Sequence, residues 1–171
     1  TNIDLTLIAT RHNLHGQMVL DSLKAGKHTF VEKPLAISYE ELEKIELFYK
    51  NNDHTPLLMV GFNRRFSPVI KKINKITKKR FSPLIINYTM NAGYIPYDHW
   101  VHSNEGGGRN IGEACHIYDL FNFLVGNCEI ATINSQSINS KVTHWQNDDN
   151  FIATIKYCDG SLCTLTYTSL G

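Results

Sequence analysis

Residues 3–60 alternate short apolar runs with amphipathic segments, and this alternation constrains the fold more than any other feature of the chain. Three runs have the length and apolarity of buried strands: residues 3–9, 28–31 and 57–60. Helical spacing separates the first two runs, and Ser38 with Glu41 forms a capping-box pattern that begins a second helix before the third run. The alternation predicts the trailing part of a parallel, doubly wound α/β sheet.

The pattern changes after residue 62, where a second kind of domain is predicted. Ser67 followed by Pro68 is typical of a helix start. The apolar residues of this helix are expected to face inward: Val69, Ile70, Ile73 and Ile76. Strand-like segments follow at residues 84–90, 130–138, 151–157 and 161–168. Because Asp159-Gly160 predicts a two-residue hairpin loop, we expect an α+β domain with a mainly antiparallel open sheet.

These patterns predict two domains, at residues 1–62 and 63–171, both incomplete. The sequence stops at Gly171 directly after a strand, which would leave a sheet edge uncovered. A doubly wound sheet should also have strands and a glycine-rich turn before residue 32. We therefore expect the natural chain to extend in both directions.

Composition and charge argue against several classes of function. Seventeen basic and sixteen acidic side chains give a net charge of +1, so the overall field favours neither nucleic acid nor an acidic membrane. No apolar run approaches the roughly 20 residues of a membrane span, and the amino end has no signal-peptide pattern, which predicts a soluble, cytoplasmic protein. The spacing of the cysteines predicts free thiols and no metal site: Cys115, Cys128, Cys158 and Cys163.

Glu32-Lys33-Pro34 directly follows the strand predicted at residues 28–31. Open α/β sheets bind ligands at the carboxyl ends of their strands, so Lys33 lies where a catalytic cation would act. A solvated lysine paired with Glu32 is the alternative, and the local sequence alone favours it.

A polar stripe interrupts the apolar helix predicted at residues 112–125. It consists of Glu113, His116, Asp119 and Asn122. Buried polar groups without partners cost about 2–7 kcal/mol each, so this stripe must face water, partner groups or a ligand. His116 is either a general base or a core histidine bonded to Glu113 or Asp119, and the pattern weighs both equally. Asp119 and Asn122 are more typical of structural roles.

Two groups of basic residues also have alternative interpretations. Arg64 and Arg65 could orient an oxygen-rich substrate or lie on the surface, which is the default. Six further basic residues lie between residues 71 and 80, but they alternate with an apolar stripe and no nucleic-acid motif accompanies them. We expect a solvated helix face and no nucleic-acid partner.

Five motifs, in order, carry a family resemblance: Thr10 with His15, Ala25-Gly26-Lys27-His28, Glu32-Lys33-Pro34-Leu35-Ala36, Gly61-Phe62-Asn63-Arg64-Arg65-Phe66 and residues 106–119. Together they resemble the glucose-fructose oxidoreductase, inositol dehydrogenase and rhizopine-catabolism (Gfo/Idh/MocA) family. Tyr94-Ile95-Pro96, Asp98-His99-Trp100 and residues 106–113 further resemble a subgroup fused behind an alcohol-dehydrogenase-like domain. Each motif is short, but jointly they are specific.

The resemblance implies a partial Rossmann-like parallel sheet followed by a carboxyl-terminal α+β domain whose open sheet forms homo-oligomers. It implies hydride transfer between NAD or NADP and a sugar, cyclitol or related polyol. The catalytic residues would be Lys33 and His116. The cofactor-binding residues would be Thr10, His15, Glu32, Lys33 and Pro34. The substrate-binding residues would be Arg65, Glu113 and His116.

Two departures from the family pattern keep a second hypothesis open. Many members have an aspartate four residues before the catalytic histidine, where this chain has Gly112, and Glu113 points about 100° away on the helix. The glycine-rich turn and the ribose-binding acid would lie upstream of Thr1, so we expect weak or no NAD(P) binding by these residues alone. The alternative is a noncatalytic assembly or ligand-binding module derived from the same fold.

Overall fold

A computed structural model describes residues 2–53, 55–138 and 149–170. Contacts divide the chain into two compact units. The amino-terminal unit contains Thr1–Phe62 and Trp100–Glu113, and the carboxyl-terminal unit contains Asn63–His99 and Ala114–Gly171. The expectation about the chain end at Gly171 lies outside the described residues.

The amino-terminal unit is a parallel sheet with helical connections, as the alternating pattern predicts. Its elements are β1 (Leu5–Ile8), α1 (His12–Lys24), β2 (His28–Val31), α2 (Tyr39–Lys50) and β3 (Leu58–Val60). The strands pair in the order β1-β2-β3, parallel throughout. Ser38 caps α2, because its Oγ accepts from the Glu41 amide at 3.2 Å. The core of this unit consists of Ile8, Val19, Leu23, Val31 and Ile45.

The carboxyl-terminal unit builds a mixed sheet against a buried helix. It begins with a 3₁₀ turn (Asn63–Phe66), followed by α3 (Pro68–Thr77) and β4 (Ile85–Asn91). A π-helical turn (Asn110–Ala114) leads into α4 (Cys115–Val125). The remaining strands are β5 (Ile130–Ser137), β6 (Phe151–Tyr157) and β7 (Leu162–Thr168). The strand order is β4-β7-β6-β5, with β4 parallel to β7 and the other pairs antiparallel. Ala114, Ile117, Phe121 and Val125 belong to the same core as the inner residues of β6 and β7. The expected combination of α/β and α+β architecture is confirmed.

Two local predictions in this unit are wrong. Val69, Ile73 and Ile76 are 65%, 39% and 74% exposed, whereas Asn74 is the buried residue of α3. Helical spacing shows which residues share a face but not whether another element covers that face. The β6–β7 hairpin has a three-residue loop rather than a two-residue one, because the Tyr157 amide donates to the Ser161 carbonyl at 2.9 Å. Gly160, at φ +88°, supplies the left-handed residue that such a loop requires.

Of the helices within the described ranges, none is both long and apolar enough to span a membrane.

Candidate active site

The three parallel strands of the amino-terminal unit end in register. Ile8, Val31 and Val60 are adjacent across the sheet, and the ladder continues where the Glu32 amide donates to the Ile8 carbonyl at 2.8 Å. Gly61 lies beside Glu32, because a Cβ at that glycine would be 3.1 Å from Glu32 Oε2. The segments after the strands therefore meet at one edge of the sheet, where ligands of α/β proteins bind.

Lys33 follows β2 at this edge and is half-buried. Its Nζ donates to the carbonyl of Gly112 at 2.8 Å, and the Lys33–Pro34 peptide bond is cis. An ammonium group carries three donors, so two remain for other acceptors. The side chain is held by a backbone carbonyl and does not depend on Glu32 for a partner.

His15 connects the ends of β1 and β2. The ring is 1% exposed, with Nδ1 2.7 Å from the Pro34 carbonyl and Nε2 3.2 Å from the Thr10 carbonyl. A carbonyl oxygen only accepts, and a neutral imidazole can donate from one nitrogen only. The His15 ring therefore lies between the residues that follow β1 and β2, with one of the two carbonyls accepting from a neutral ring, while Thr10 remains exposed.

His12, at the start of α1, is a site residue that the sequence analysis missed. The ring is 8% exposed, and its Nδ1 is 2.8 Å from the Gly106 carbonyl, to which it donates. The ring meets Trp100 edge-on with centroids 4.9 Å apart, and the Arg11 guanidinium lies 4.1 Å from the Trp100 ring centroid. Arg11 and His12 follow β1 just as Lys33 follows β2, so the strand-end rule that identified the lysine could also have found them.

The environment of His12 keeps its imidazole neutral near pH 7. Burial lowers the pKa of His12 below its ordinary value of 6.5, and the hydrogen bond to the Gly106 carbonyl offsets part of this effect. The charges of Lys33, His15 and Arg11 lower the pKa further. The site therefore carries the Lys33 ammonium without a second full charge on the His12 ring.

The glycine run before α4 is required by the local backbone. A Cβ at Gly106 would lie 2.3 Å from the Val101 carbonyl oxygen, so no other residue fits there without a backbone shift. Gly107 and Gly108 have φ values of +72° and +77°, a region that side chains disfavour. The run folds the chain tightly enough to bring Gly112 to Lys33.

In the carboxyl-terminal unit, two residues of the polar stripe, Asp119 and Asn122, have hydrogen-bond partners. Asp119, with its side chain 8% exposed, accepts from both Arg65 Nε at 2.9 Å and Arg65 Nη2. The Arg65 guanidinium also lies 5.2 Å from the Phe123 ring centroid. Asn122 Oδ1 accepts from the Tyr157 hydroxyl at 2.8 Å. These contacts agree with the structural roles expected for Asp119 and Asn122.

The other two residues of the stripe belong to different units: Glu113 to the amino-terminal unit and His116 to the carboxyl-terminal unit. His116 is 8% exposed in the first turn of α4. Glu113, in the amino-terminal unit, has Oε2 3.6 Å from Nη2 of Arg109, whose side chain is 1% exposed. The π-helical turn Asn110–Ala114 precedes α4, and such turns are frequent at functional sites.

Hydrogen-bonding groups of several kinds lie together after the strands of the amino-terminal unit. Thr10, Lys33 and the carbonyls around them offer hydroxyl, ammonium and carbonyl groups, which are hydrogen-bonding partners for an amide and a ribose. Among the described residues, no group of three or more histidine, cysteine, aspartate or glutamate side chains is placed to hold a metal ion.

Two family models match most of the chain. Residues 1–62 match the NAD-binding Rossmann fold of the GFO_IDH_MocA oxidoreductase family, and residues 72–171 match the carboxyl-terminal α/β domain of the same family. Both matches fall in the order that the motifs predict.

Curated relatives and solved structures agree with these matches. The chain is 32% identical over 138 residues to scyllo-inositol 2-dehydrogenase (NAD(+)) of Bacillus subtilis, covering 77% of this chain and 37% of that protein. It is 24% identical over 165 residues to myo-inositol 2-dehydrogenase of Thermotoga maritima, covering 94% and 48%. A structure of levoglucosan dehydrogenase in complex with NADH has the same fold, with a TM-score of 0.80 at 24% identity, covering 99% of this chain and 48% of that one. The chain thus spans about half the length, or less, of these relatives.

Proposed function

Because this chain belongs to the Gfo/Idh/MocA oxidoreductase family, we propose that the protein carrying it is a dehydrogenase that uses NAD or NADP on a sugar, cyclitol or related polyol. The observation that carries the proposal is Lys33 at the carboxyl edge of the parallel sheet, with its ammonium held by the Gly112 carbonyl at 2.8 Å. The similarity to inositol dehydrogenases and to levoglucosan dehydrogenase supports a sugar, cyclitol or related polyol as the substrate class.

The cofactor's nicotinamide end would be held by the residues that follow β1 and β2: Thr10, His15, Glu32, Lys33 and Pro34. His15 contributes by its position between the carbonyls of Thr10 and Pro34, and Thr10 and Glu32 contribute exposed polar groups. When bound, the nicotinamide supplies the hydride acceptor or donor.

Lys33 and His116 have separate roles in the proposed reaction. As the substrate C–H bond breaks, the hydroxyl oxygen gains negative charge, and the free N–H groups of Lys33 donate to it. His116 takes the hydroxyl proton as general base and returns it in the reverse direction. Arg65 and Glu113 would contact other substrate hydroxyls, with Asp119 and Arg109 orienting them.

Replacement of Lys33 tests the proposal. The full-length protein is assayed at 340 nm with NAD and NADP against inositols, levoglucosan and aldoses. Lys33→Met keeps an unbranched stem of four atoms and removes the ammonium group with its charge, so we expect kcat to fall about 10²–10³-fold with a much smaller change in KM. Lys24→Met, on the exposed end of α1, is the matched control and should leave both constants unchanged. Turnover of the Lys33 variant within a few-fold of wild type contradicts the assignment.

A noncatalytic assembly module is the second candidate, and one surface favours it. The outer face of the mixed sheet leaves Ile85, Ile152 and Leu162 exposed at 77%, 49% and 37%. We propose that this face joins copies of the chain into a homo-oligomer, whichever function is correct. Sedimentation of the full-length protein measures the oligomer, and an oligomer without turnover on any cofactor and polyol pair would favour the noncatalytic candidate.

We also propose a cytoplasmic location, small-molecule rather than nucleic-acid or membrane partners, and the two-domain division at residues 62 and 63. The fusion to an alcohol-dehydrogenase-like domain is a further proposal, which rests on the motifs between residues 94 and 113.

A further inference from the structure

His12 contacts the segment Trp100–Glu113 at three places. Its Nδ1–H donates to the Gly106 carbonyl at 2.8 Å, and its ring packs edge-on against Trp100. Its Cε1 lies 3.1 Å from the position that a Cβ at Gly112 would occupy. The ring is therefore enclosed by the beginning, the middle and the end of this segment.

The end of the same segment holds the lysine. The Gly112 carbonyl accepts from Lys33 Nζ at 2.8 Å, and Gly112 itself is buried. A carbonyl has no rotamers, so its direction depends on what fixes the backbone around it. A lysine, by contrast, has a flexible four-carbon stem, and its ammonium points wherever a fixed acceptor directs it.

We infer that His12 is a positioning residue that fixes the Gly112 carbonyl opposite Lys33 and so aims the ammonium group. The hydrogen bond to Gly106 fixes the middle of the segment. Packing of the ring against Gly112 fixes the position of the end of the segment. The effect on turnover rests on the proposed function, whereas the effect on the segment does not.

The neutral state of the ring agrees with this role. A neutral imidazole that donates from Nδ1 satisfies the Gly106 carbonyl without placing another charge beside Lys33. Lys33, His15 and Arg11 are the charged or titratable groups whose fields act on the ring, and all three disfavour its protonation. His12 can thus hold the segment throughout the neutral pH range.

Two replacements of His12 separate the hydrogen bond from general packing. His12→Leu replaces the ring with an apolar side chain of similar bulk and leaves the Gly106 carbonyl without its donor. His12→Asn places an amide N–H close to the position of Nδ1. Asn13→Ala is the matched control, because residue 13 is exposed and reaches Glu105 through its backbone amide.

Hydrogen exchange is the first readout, in the full-length protein. The Gly106 and Gly107 amides both donate to the Ser103 carbonyl at 3.1 Å, so their exchange reports opening of the segment. We expect exchange about tenfold faster in His12→Leu, and within about threefold of wild type in His12→Asn and in the control. Unchanged exchange in His12→Leu overturns the inference, whether or not the protein is an enzyme.

Steady-state kinetics is the second readout. A misdirected ammonium should lower kcat by about 10²-fold in His12→Leu with little change in KM, and His12→Asn should recover most of the loss. Faster exchange with normal kcat would mean that His12 stabilises the segment without positioning Lys33, which overturns the inference. If the wild-type protein has no turnover, the proposed function fails, and exchange still decides whether His12 fixes the segment.

Gly112→Ala provides a variant that leaves His12 in place. The new Cβ would press on His12 Cε1, so we expect kcat to fall about tenfold in the wild-type background. Because asparagine has no atom at the Cε1 position, the same change should cost less than about threefold in the His12→Asn background. Equal losses in both backgrounds would overturn the packing part of the inference.

Discussion

Arg65→Ala should destabilise the carboxyl-terminal unit even in the absence of substrate. Asp119 is a buried carboxylate, with its side chain 8% exposed, and Arg65 donates to both of its oxygens. Truncation of the arginine leaves this charge without its main partner. The prediction separates a structural role of Arg65 from the substrate contact that the family resemblance implies.

The expected loss follows from the burial of the two side chains. Removal of one partner from a fully buried ion pair costs about 3–5 kcal/mol, and the Arg65 side chain is 30% exposed, so water can replace part of the lost interaction. We therefore expect about 2–4 kcal/mol for Arg65→Ala. Asp119→Asn keeps one acceptor and removes the charge, which should cost about 1–2 kcal/mol. The double variant Arg65→Ala with Asp119→Asn should cost less than the sum by about 1–2 kcal/mol.

Native-state hydrogen exchange of the α4 amides measures these losses within the unit concerned. Arg64→Ala is the matched control: it lies in the same 3₁₀ turn, and its Nη1 donates to the neutral Tyr88 hydroxyl at 3.1 Å. We expect this control to cost about 0.5–1.5 kcal/mol. Equal protection of α4 in the Arg65 and Arg64 variants, or strict additivity with Asp119→Asn, would refute the assignment of Arg65 as the partner of a buried charge.

Two further predictions concern a tight turn and a buried thiol. Gly106→Ala should destabilise the amino-terminal unit by about 1–3 kcal/mol or more, because its Cβ would lie 2.3 Å from the Val101 carbonyl oxygen. Gly108→Ala has open space around its Cβ but a φ of +77°, so it measures backbone strain alone; thermal melting should show the larger shift for Gly106→Ala, and equal shifts would contradict the steric reason. Cys163 is fully buried, and burial raises the pKa of its thiol to about 12, so at pH 8 it should resist a thiol reagent in the folded protein, whereas the exposed Cys158 reacts. Modification of Cys163 at the rate of Cys158, followed by peptide mass spectrometry, would show that the inner face of β7 is open to solvent.

The architecture followed from the sequence because it depends on periodicity. The alternation of residues 3–60 specifies parallel strands with helical connections, and a buried strand tolerates few other patterns. The Ser38 and Ser67 caps could be predicted equally well, since a cap is a local hydrogen bond between one side chain and an amide three residues later. Sequence patterns therefore predict a structural feature well when the stabilising interactions are between residues close in the sequence.

The failures occurred where distant residues decide the outcome. Helical spacing placed Val69 and Ile76 inward, but whether a face is buried depends on what packs against it, and these residues are exposed. The hairpin loop was one residue too short, because Asp159-Gly160 fits either a two-residue loop or the end of a three-residue loop. The pairing of Tyr157 with Ser161 across the two strands resolves this choice, and neither residue belongs to the dipeptide.

Gly112 shows why the candidate site was harder to predict than the fold. Many family members have an aspartate where this chain has Gly112. The missing carboxylate was the main argument against catalysis. In the structure the residue acts through its carbonyl, which accepts from Lys33, and through its missing Cβ, which leaves room for the His12 ring. A carbonyl is present at every residue, so no pattern of side chains can indicate which carbonyl meets a lysine 79 residues away. A glycine therefore fits beside His12 without any shift of the ring, and its carbonyl directs Lys33, so this position contributes to the candidate site although it lacks the carboxylate of the family pattern.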